Sequence, residues 1–539
     1  MNTLFFRLSQ ASLLAMLVSQ AAVGHHNPPP LDDPIPGGIP MGPYTLVLEE
    51  VVADLAFPID VVAPPDGSGR LFVTERAGRI RIIEDGVLLP EPFLDITDSI
   101  PTIGSAALSA IEFHPNFATS GHLGQGRLYT VSQEAPGSGI ADFGDTTDVF
   151  HQSVVYEWRA DFLNPNVVLP SSQREIIRIN ENSSVHNVND LAFGSGGLYI
   201  AKGDDDMNAD GVLDGTTIHG SILRLDVNLG GDGYLVPPGN PFVSDGSGRL
   251  PEIYAYGFRN PWRIVFDTIN GVILAADIGE DDIEEVNRVE AGGYYGWIDL
   301  EGSFAFLDFN GVTDDLSDLP PGLEHVLPIA QYDHTEGDRS ITGGVVYRGS
   351  LVPSLQGQYV FGDWISGRLF HMSPGGGQIA QVDVDFDGAS LLPGIITVTE
   401  DQDGELLLVV TDASAGTGRV LRLAAGLGVG IDTDGDGVDD DIDNCTLDPN
   451  PQQIDSNGDL IGNVCDADIA GPAGAGLDDC VVAFFDLGQL KNVFFTNDPD
   501  ADLVGPNGSE PDGVVNFFDL GRMKERYFLP PGPSAAGCN

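Results

Sequence analysis

One short β unit, recurring six times, restricts what this chain can fold into more than any other feature. Each copy is a run of β-branched and aromatic residues, a turn rich in Gly and Asp, and one or two further runs. The copies fall at residues 61–83, 111–158, 191–227, 252–302, 344–372 and 396–423. The fourth shows the unit most fully. An Arg-Asn-Pro corner (Arg259, Asn260, Pro261) precedes a strand at 263–266, and Asn270-Gly271 makes a turn into a second strand at 272–276. Pro restricts the residue before it, so the corner cannot continue a helix. Asn-Gly between apolar runs is a strong hairpin signal, because both residues tolerate positive φ. Residues 252–302 therefore read as one sheet unit. With no helical period between the copies, the pattern predicts an all-β, six-bladed β-propeller over 44–425. The residues after it read separately, on their acidic segments, as a small, partly helical, calcium-binding C-terminal region. An early strand at 44–52 is expected to pair with the last blade and close the ring. A β-sandwich is the alternative fold, and it leaves six copies unexplained.

Charge narrows the partners. The formal charge is −57, from 24 basic and 81 acidic residues. Such a chain repels nucleic acid and anionic membranes. It suits a saline or calcium-rich exterior, where carboxylates are screened or serve as ligands. Residues 1–24 read as a signal peptide, with Arg7, a short apolar core at 11–18 and small residues at the cleavage site. No later apolar run is long enough to span a bilayer. The expected location is secreted or periplasmic, with a flexible leader at 25–43. All four cysteines (Cys445, Cys465, Cys480, Cys538) lie in the last fifth of the chain, which places disulfides there. Three pairings are open, and Cys445–Cys465 is favoured because both lie in one acidic repeat.

Polar residues recur just before the first strands of the copies: His186 in the third, Arg259 and Asn260 in the fourth, and 339–343 in the fifth. In a propeller such entry loops open on one face around the axis, so distant residues converge on a central cleft. At these residues the chain resembles the soluble quinoprotein glucose/sorbosone dehydrogenase family. The matching segments are GRLFVTERAGRIRII, IEFHPNF, HNVNDLAFGSGGLYIAKGD, EIYAYGFRNPWRIVFD, EEVNRVEAGGYYGW and ITGGVVYRG. They cover residues 57–423 in the family's order. The resemblance implies a six-bladed propeller that uses pyrroloquinoline quinone (PQQ) and calcium to oxidise the anomeric hydroxyl of an aldose sugar.

By that resemblance His186 is the general base, Arg259 stabilises charge developing on the quinone, and Asn260 holds the same group. Arg339 and Thr342 would contact the cofactor. Backbone carbonyls of Gly279 and Glu280 would bind calcium, and Glu284 and Glu285 would bind a second ion or support the loop. Each residue also has a plain structural reading: a satisfied histidine, inter-blade hydrogen bonds, a surface arginine, a solvated acidic turn. Three departures stand out. Gly104-Ser105-Ala106 replaces a Gln or Glu of the family, Arg339 replaces its cofactor-binding Lys, and the segment LLPGIITVTEDQDG lacks the arginines that clamp the cofactor's carboxylates. Losing such contacts weakens binding by about 1.5–3 kcal/mol each.

Asp206, Asn208 and Asp210 alternate before Gly211 as in a calcium loop, but Thr217 stands where the bidentate Glu belongs, so a polar loop is an equal reading. After a linker at 426–431, residues 432–470 resemble a thrombospondin type 3 calcium repeat, with Asp432, Asp434, Asp436, Asp443, Asp455, Asn457 and Asp459 as ligands. Residues 471–539 are similar to a dockerin repeat pair, with Asp512, Asn516 and Asp519 as ligands in the second copy. That resemblance implies a cohesin-type or cell-surface partner, and an intramolecular pair is the alternative. Two functions follow. One is an exported sugar dehydrogenase. The other is a catalytically inactive propeller serving as a calcium-dependent binding or adhesion scaffold. A lactonase-type hydrolase would need a ring of metal-binding residues at the axis, which the sequence does not supply.

Overall fold

The computed structural model describes residues 29–527 apart from 102, 105, 207–211, 214, 229–232, 308–309, 318, 321–323, 387–390, 425–433, 435, 437, 439–442, 457–460, 472–473, 476–481 and 507–510. The expected signal peptide (1–24) and linker (426–431), with Asn208, Asp210, Asp432, Asn457, Asp459, Cys480 and Cys538, lie outside the described residues.

Six antiparallel blades form the body of the molecule. Their first strands are Pro58–Val62, Leu108–Phe113, Val188–Gly194, Pro261–Asp267, Ile341–Val346 and Ile395–Glu400. Each of these touches the next in that order, and the sixth touches the first, so the ring is closed around them. Six apolar clusters follow the same logic, one between each pair of neighbouring blades. The cluster between blades six and one, for example, joins Ile396, Leu407 and Val409 to Ile59, Val61 and Val73. Strands buried on both faces account for the near-continuous Val, Ile and Leu runs in the sequence.

Closure depends on the strand Met41–Leu55. Its second half pairs antiparallel with Thr417–Leu423 of blade six, as the sequence leads one to expect. Its first half pairs parallel with Ala380–Asp385, the outer strand of blade five. One strand thus joins two blades into a single eight-stranded sheet. Before it, the described part of the leader lies against the ring: Leu31 donates its amide to Val312 O, and Ile35 donates to Asp333 Oδ2.

Residues 252–302 are not one sheet unit. Ile253–Tyr256 is the outer strand of blade three, and Pro261–Asp267 opens blade four. The break falls at Gly257, whose φ is +88° and where a Cβ would press on the Tyr294 ring and the Tyr295 amide. Only glycine admits both the left-handed turn and that close approach. The Asn270-Gly271 hairpin is also looser than the sequence implies. Asp267 pairs with Val272, which leaves 268–271 as the loop, and only Gly271 has positive φ.

The C-terminal region has its own two small cores. A disulfide joins Cys445 to Cys465 with Cα atoms 5.6 Å apart, the pairing favoured from the sequence. Helices α1 (Phe484–Asn492) and α2 (Phe517–Arg526) carry the two repeats. Each has an Asp at its third position whose carboxylate turns back to backbone amides. Asp486 accepts from Ala470 and Ala483, and Asp519 accepts from Leu503, Val504 and Asn516. Arg522 and Arg526 both pair with Asp448, which ties α2 to the disulfide loop.

Candidate active site

At one mouth of the propeller channel all six blades contribute to a cavity of about 620 Å³. His186 and Asn189 come from blade three, Arg259, Asn260 and Gly279 from blade four, and Thr342 and Trp364 from blade five. Five residues proposed from the sequence (His186, Arg259, Asn260, Gly279, Thr342) therefore meet in one place.

His186 sits in a left-handed turn, φ +55°, at the entry to the inner strand of blade three. Its carbonyl accepts from the buried Lys202 ammonium at 3.1 Å, which helps hold this uncommon conformation. Its Nδ1 lies 2.7 Å from Asp204 Oδ1. The other Asp204 oxygen accepts from Trp297 Nε1 at 2.7 Å. Burial works against charge on Asp204, but the hydrogen bonds and charges of His186, Arg259 and Trp297 outweigh it and hold the carboxyl below its ordinary value. An ionised Asp204 only accepts, so Nδ1 is the donor, and in the neutral ring Nε2 carries the lone pair.

Arg259 adjoins this pair, its carbonyl accepting the Asp204 amide at 2.7 Å; its guanidinium is paired with Glu280, donates to Ile278 O at 3.0 Å and lies over the Trp297 ring. The backbone amides of Arg259 and Asn260 both donate to Asp277, at 2.9 and 2.6 Å. Burial and the neighbouring Glu285 push Asp277 well above the carboxylate range despite these amides. Asn260 Oδ1 accepts from Asn189, which links blades three and four. The Thr342 hydroxyl and Asn187 Oδ1 are buried at the cavity with no hydrogen-bond partner among the described residues.

The acidic loop after Asp277 is wrapped around one carboxylate. Glu301 Oε1 accepts the amides of Glu280, Asp281, Asp282 and Ile283, all at 2.8–3.0 Å. Burial raises the Glu301 carboxyl to about 7. Gly279 is required here, because a Cβ would overlap the Ile283 carbonyl. Among the described residues no donor reaches the carbonyl oxygens of Gly279 and Glu280. Glu284 and Glu285 are neighbours on Ile283–Val289 and so face opposite sides of the sheet. Glu284 holds His334 and the Ile341 amide, while Glu285 holds Asn287 and the Gly302 amide.

Other sequence candidates lie apart. Arg339 is exposed and outside the cavity lining, although its neighbours Ser340 and Thr342 are in it. Asp206 is exposed and accepts from the Ser183 hydroxyl. In the C-terminal region Asp434 accepts the Asp436 amide, Asp436 the amides of Val438 and Asn450, and Asp443 the Cys445 amide and the Gln453 side chain. Asp455 is half-buried there. Asp512 accepts the Val514 amide, and Asn516 caps α2. Sequence reasoning passed over Asp204, Trp297, Trp262, Trp364 and Arg76. Asp204 opens the run Asp204-Asp205-Asp206, which drew the eye to a calcium loop instead.

A family model described as Glucose / Sorbosone dehydrogenase matches residues 55–422, nearly the whole ring. The chain belongs to the glucose/sorbosone dehydrogenase family. It is 28% identical over 414 residues to HIPL2 protein of Arabidopsis thaliana, covering 67% of this chain and 57% of that protein. It is 30% identical over 336 residues to human Hedgehog-interacting protein, covering 59% and 42%. It is 24% identical over 378 residues to aldose sugar dehydrogenase YliI of Escherichia coli, covering 69% and 92%. The chain thus spans about half the length of the plant and animal family members. A solved glucose dehydrogenase superposes with TM-score 0.56 at 22% identity, covering 70% of this chain and 99% of its own, which is a likeness of fold. Among the described residues no helix is long and apolar enough to cross a membrane.

Proposed function

We propose that this family member is an exported, PQQ- and calcium-dependent oxidoreductase that oxidises the anomeric hydroxyl of an aldose. The observation that carries the reading is the His186–Asp204 pair, with an acceptor nitrogen on a residue that lines the same cavity as Arg259 and Asn260. The cavity residues fit the cofactor. Trp262, Trp364 and Phe57 offer flat apolar walls, and Arg259, Asn260 and the unpartnered Thr342 hydroxyl offer donors. Calcium would be held by the free carbonyls of Gly279 and Glu280, on the loop that Glu301 organises. When bound, the quinone supplies the acceptor for the hydride from the anomeric carbon. His186 Nε2 takes the hydroxyl proton as that C–H bond breaks, and the charged Asp204 stabilises the imidazolium. Arg259 places a fixed cation where negative charge grows.

The test is dye-linked aldose oxidation by protein reconstituted with calcium and PQQ. Wild type should turn over, and His186→Ala should be slower by about 10²–10⁴-fold. Equal rates would remove His186 from the reaction.

A second reading, a non-catalytic extracellular binding scaffold, draws on a different observation. Blade six gives the cavity only Ile396, with no cation, and a relative at 30% identity is a Hedgehog-interacting protein. That reading predicts no aldose oxidation under any reconstitution. In either case the C-terminal acidic repeats are proposed to bind calcium and to offer an attachment surface to a cohesin-type or cell-surface partner.

A further inference from the structure

Basic side chains are scarce in this chain, 24 against 81 acidic ones, so a cation that faces a cavity without an acidic partner is informative. Two arginines line the cavity, Arg76 and Arg259. Arg259 already has a carboxylate partner in Glu280. Arg76 follows the second strand of blade one, Leu71–Glu75, and has no carboxylate partner among the described residues. Its Nη2 donates to Gly104 O at 2.6 Å, its Nε donates to Ala106 O at 3.3 Å, and the guanidinium lies 5.3 Å from the centre of the Phe57 ring. Two carbonyls and one ring thus fix the plane of the guanidinium, while Nη1 is left without a partner among the described residues. A planar fork held in advance, with its charge unspent, is suited to a carboxylate.

Two further facts place this cation. The carbonyls that hold it belong to 104–106, where the sequence departs from the family's Gln or Glu. Arg76 and Arg259 are the only Arg or Lys in the described lining, so blade one supplies the cavity's one cation without a carboxylate partner among the described residues.

We infer that Arg76 is the carboxylate clamp of the cavity, and that the ligand seated between His186 and blade one carries a carboxylate that docks on it. This rests on reading the cavity as the quinone and sugar site. The carboxylate belongs either to the quinone cofactor or to a uronic acid substrate. The shared chemistry is a charge-assisted contact to a planar anion, which supplies from blade one what the family's missing blade-six arginines would have supplied.

The test is equilibrium binding to the full chain in calcium, read by quenching of tryptophan fluorescence or by calorimetry. Wild type and Arg76→Gln are titrated with PQQ, with the trimethyl ester of PQQ, with glucuronate and with glucose. A lost charge-assisted contact corresponds to about 10- to 100-fold in affinity. Arg76→Gln is expected to weaken PQQ by that factor while leaving glucose unchanged, and the ester is expected to bind wild type as weakly as PQQ binds the variant. Weakening of glucuronate alone would also support the clamp and would assign the carboxylate to the substrate. If Arg76→Gln fails to fold, wild type decides the matter alone: ester bound as tightly as PQQ, together with glucose bound as tightly as glucuronate, overturns the clamp. Equal affinity of wild type and variant for both PQQ and glucuronate would overturn the inference and leave the proposed function standing. Failure of wild type to bind either anion would overturn both.

Discussion

At the scale of single residues, the His186–Asp204 contact carries the chemistry. Asp204→Asn would remove the obligate acceptor beside Nδ1 and allow the wrong tautomer, with Nε2 protonated. We expect turnover to fall by at least about 10²-fold while quinone affinity changes little, measured by dye-linked rates beside binding titrations. A large loss of binding instead would make Asp204 a structural support. His186, Arg259 and Asn260 were legible in the sequence because each precedes an inner strand, and a propeller gathers such positions at one face. Asp204 and Arg76 were not, because they follow second strands. Arg76 reaches the cavity, and Asp204 reaches His186, only through turn geometry, such as the left-handed residues at Asp205 and Asp206. Arg339 shows the converse. Its sequence position is right, yet its side chain is exposed outside the cavity lining.

At the scale of elements, the loop around Glu301 is the most constrained piece of the site. Gly279→Ala should disrupt it, because the new methyl overlaps the Ile283 carbonyl. Gly271→Ala, in open space and strained only by its φ of +66°, should cost about 1 kcal/mol. Melting temperatures of the two variants check this, and equal losses would refute it. In the C-terminal region the 20-residue span closed by Cys445–Cys465 implies about 3 kcal/mol of stabilisation. Reduction should therefore lower a separate low-temperature transition in calorimetry and leave the propeller transition in place. The inner and middle strands were readable because both faces are buried and the runs are apolar. Outer strands such as Arg174–Glu181 and Ala380–Asp385 were missed, since half or more of their residues are polar and no short turn announces them. The split of 252–302 between two blades was hidden for a related reason: Gly257 ends one blade and begins the next without a loop long enough to mark the boundary.

At the scale of the whole molecule, the six-fold ring was legible because repetition is visible without any structure, whereas the double use of Met41–Leu55 depends on a parallel pairing that no local pattern signals. The acidic balance also has a consequence for pH. Burial raises Glu112 to about 8 and Glu181 to about 7, from an ordinary 4.5. A folded-state pKa above the unfolded one lends stability that is complete below about 4.5 and is lost as pH rises through those values. His151 and His219 are lowered by burial to about 4 and about 3 from 6.5, so their contribution is present above 6.5 and lost as pH falls. Above 6.5 the carboxyl contributions are lost, as is that of His334, where burial is outweighed by Glu284 and the value is raised above the ordinary one. Repulsion among a net charge of −57 adds to the loss. The melting temperature should fall between pH 6.5 and 8.5, and a rise over that range would contradict these assignments. The most direct test of the central claim is an anaerobic single turnover. Chelator-stripped protein is loaded with calcium and PQQ, an aldose is added, and the quinone absorbance is followed. Loss of the oxidised-quinone band in wild type, abolished in His186→Ala, is the predicted result. An unchanged band in loaded wild-type protein would contradict the dehydrogenase and leave the propeller as a binding scaffold.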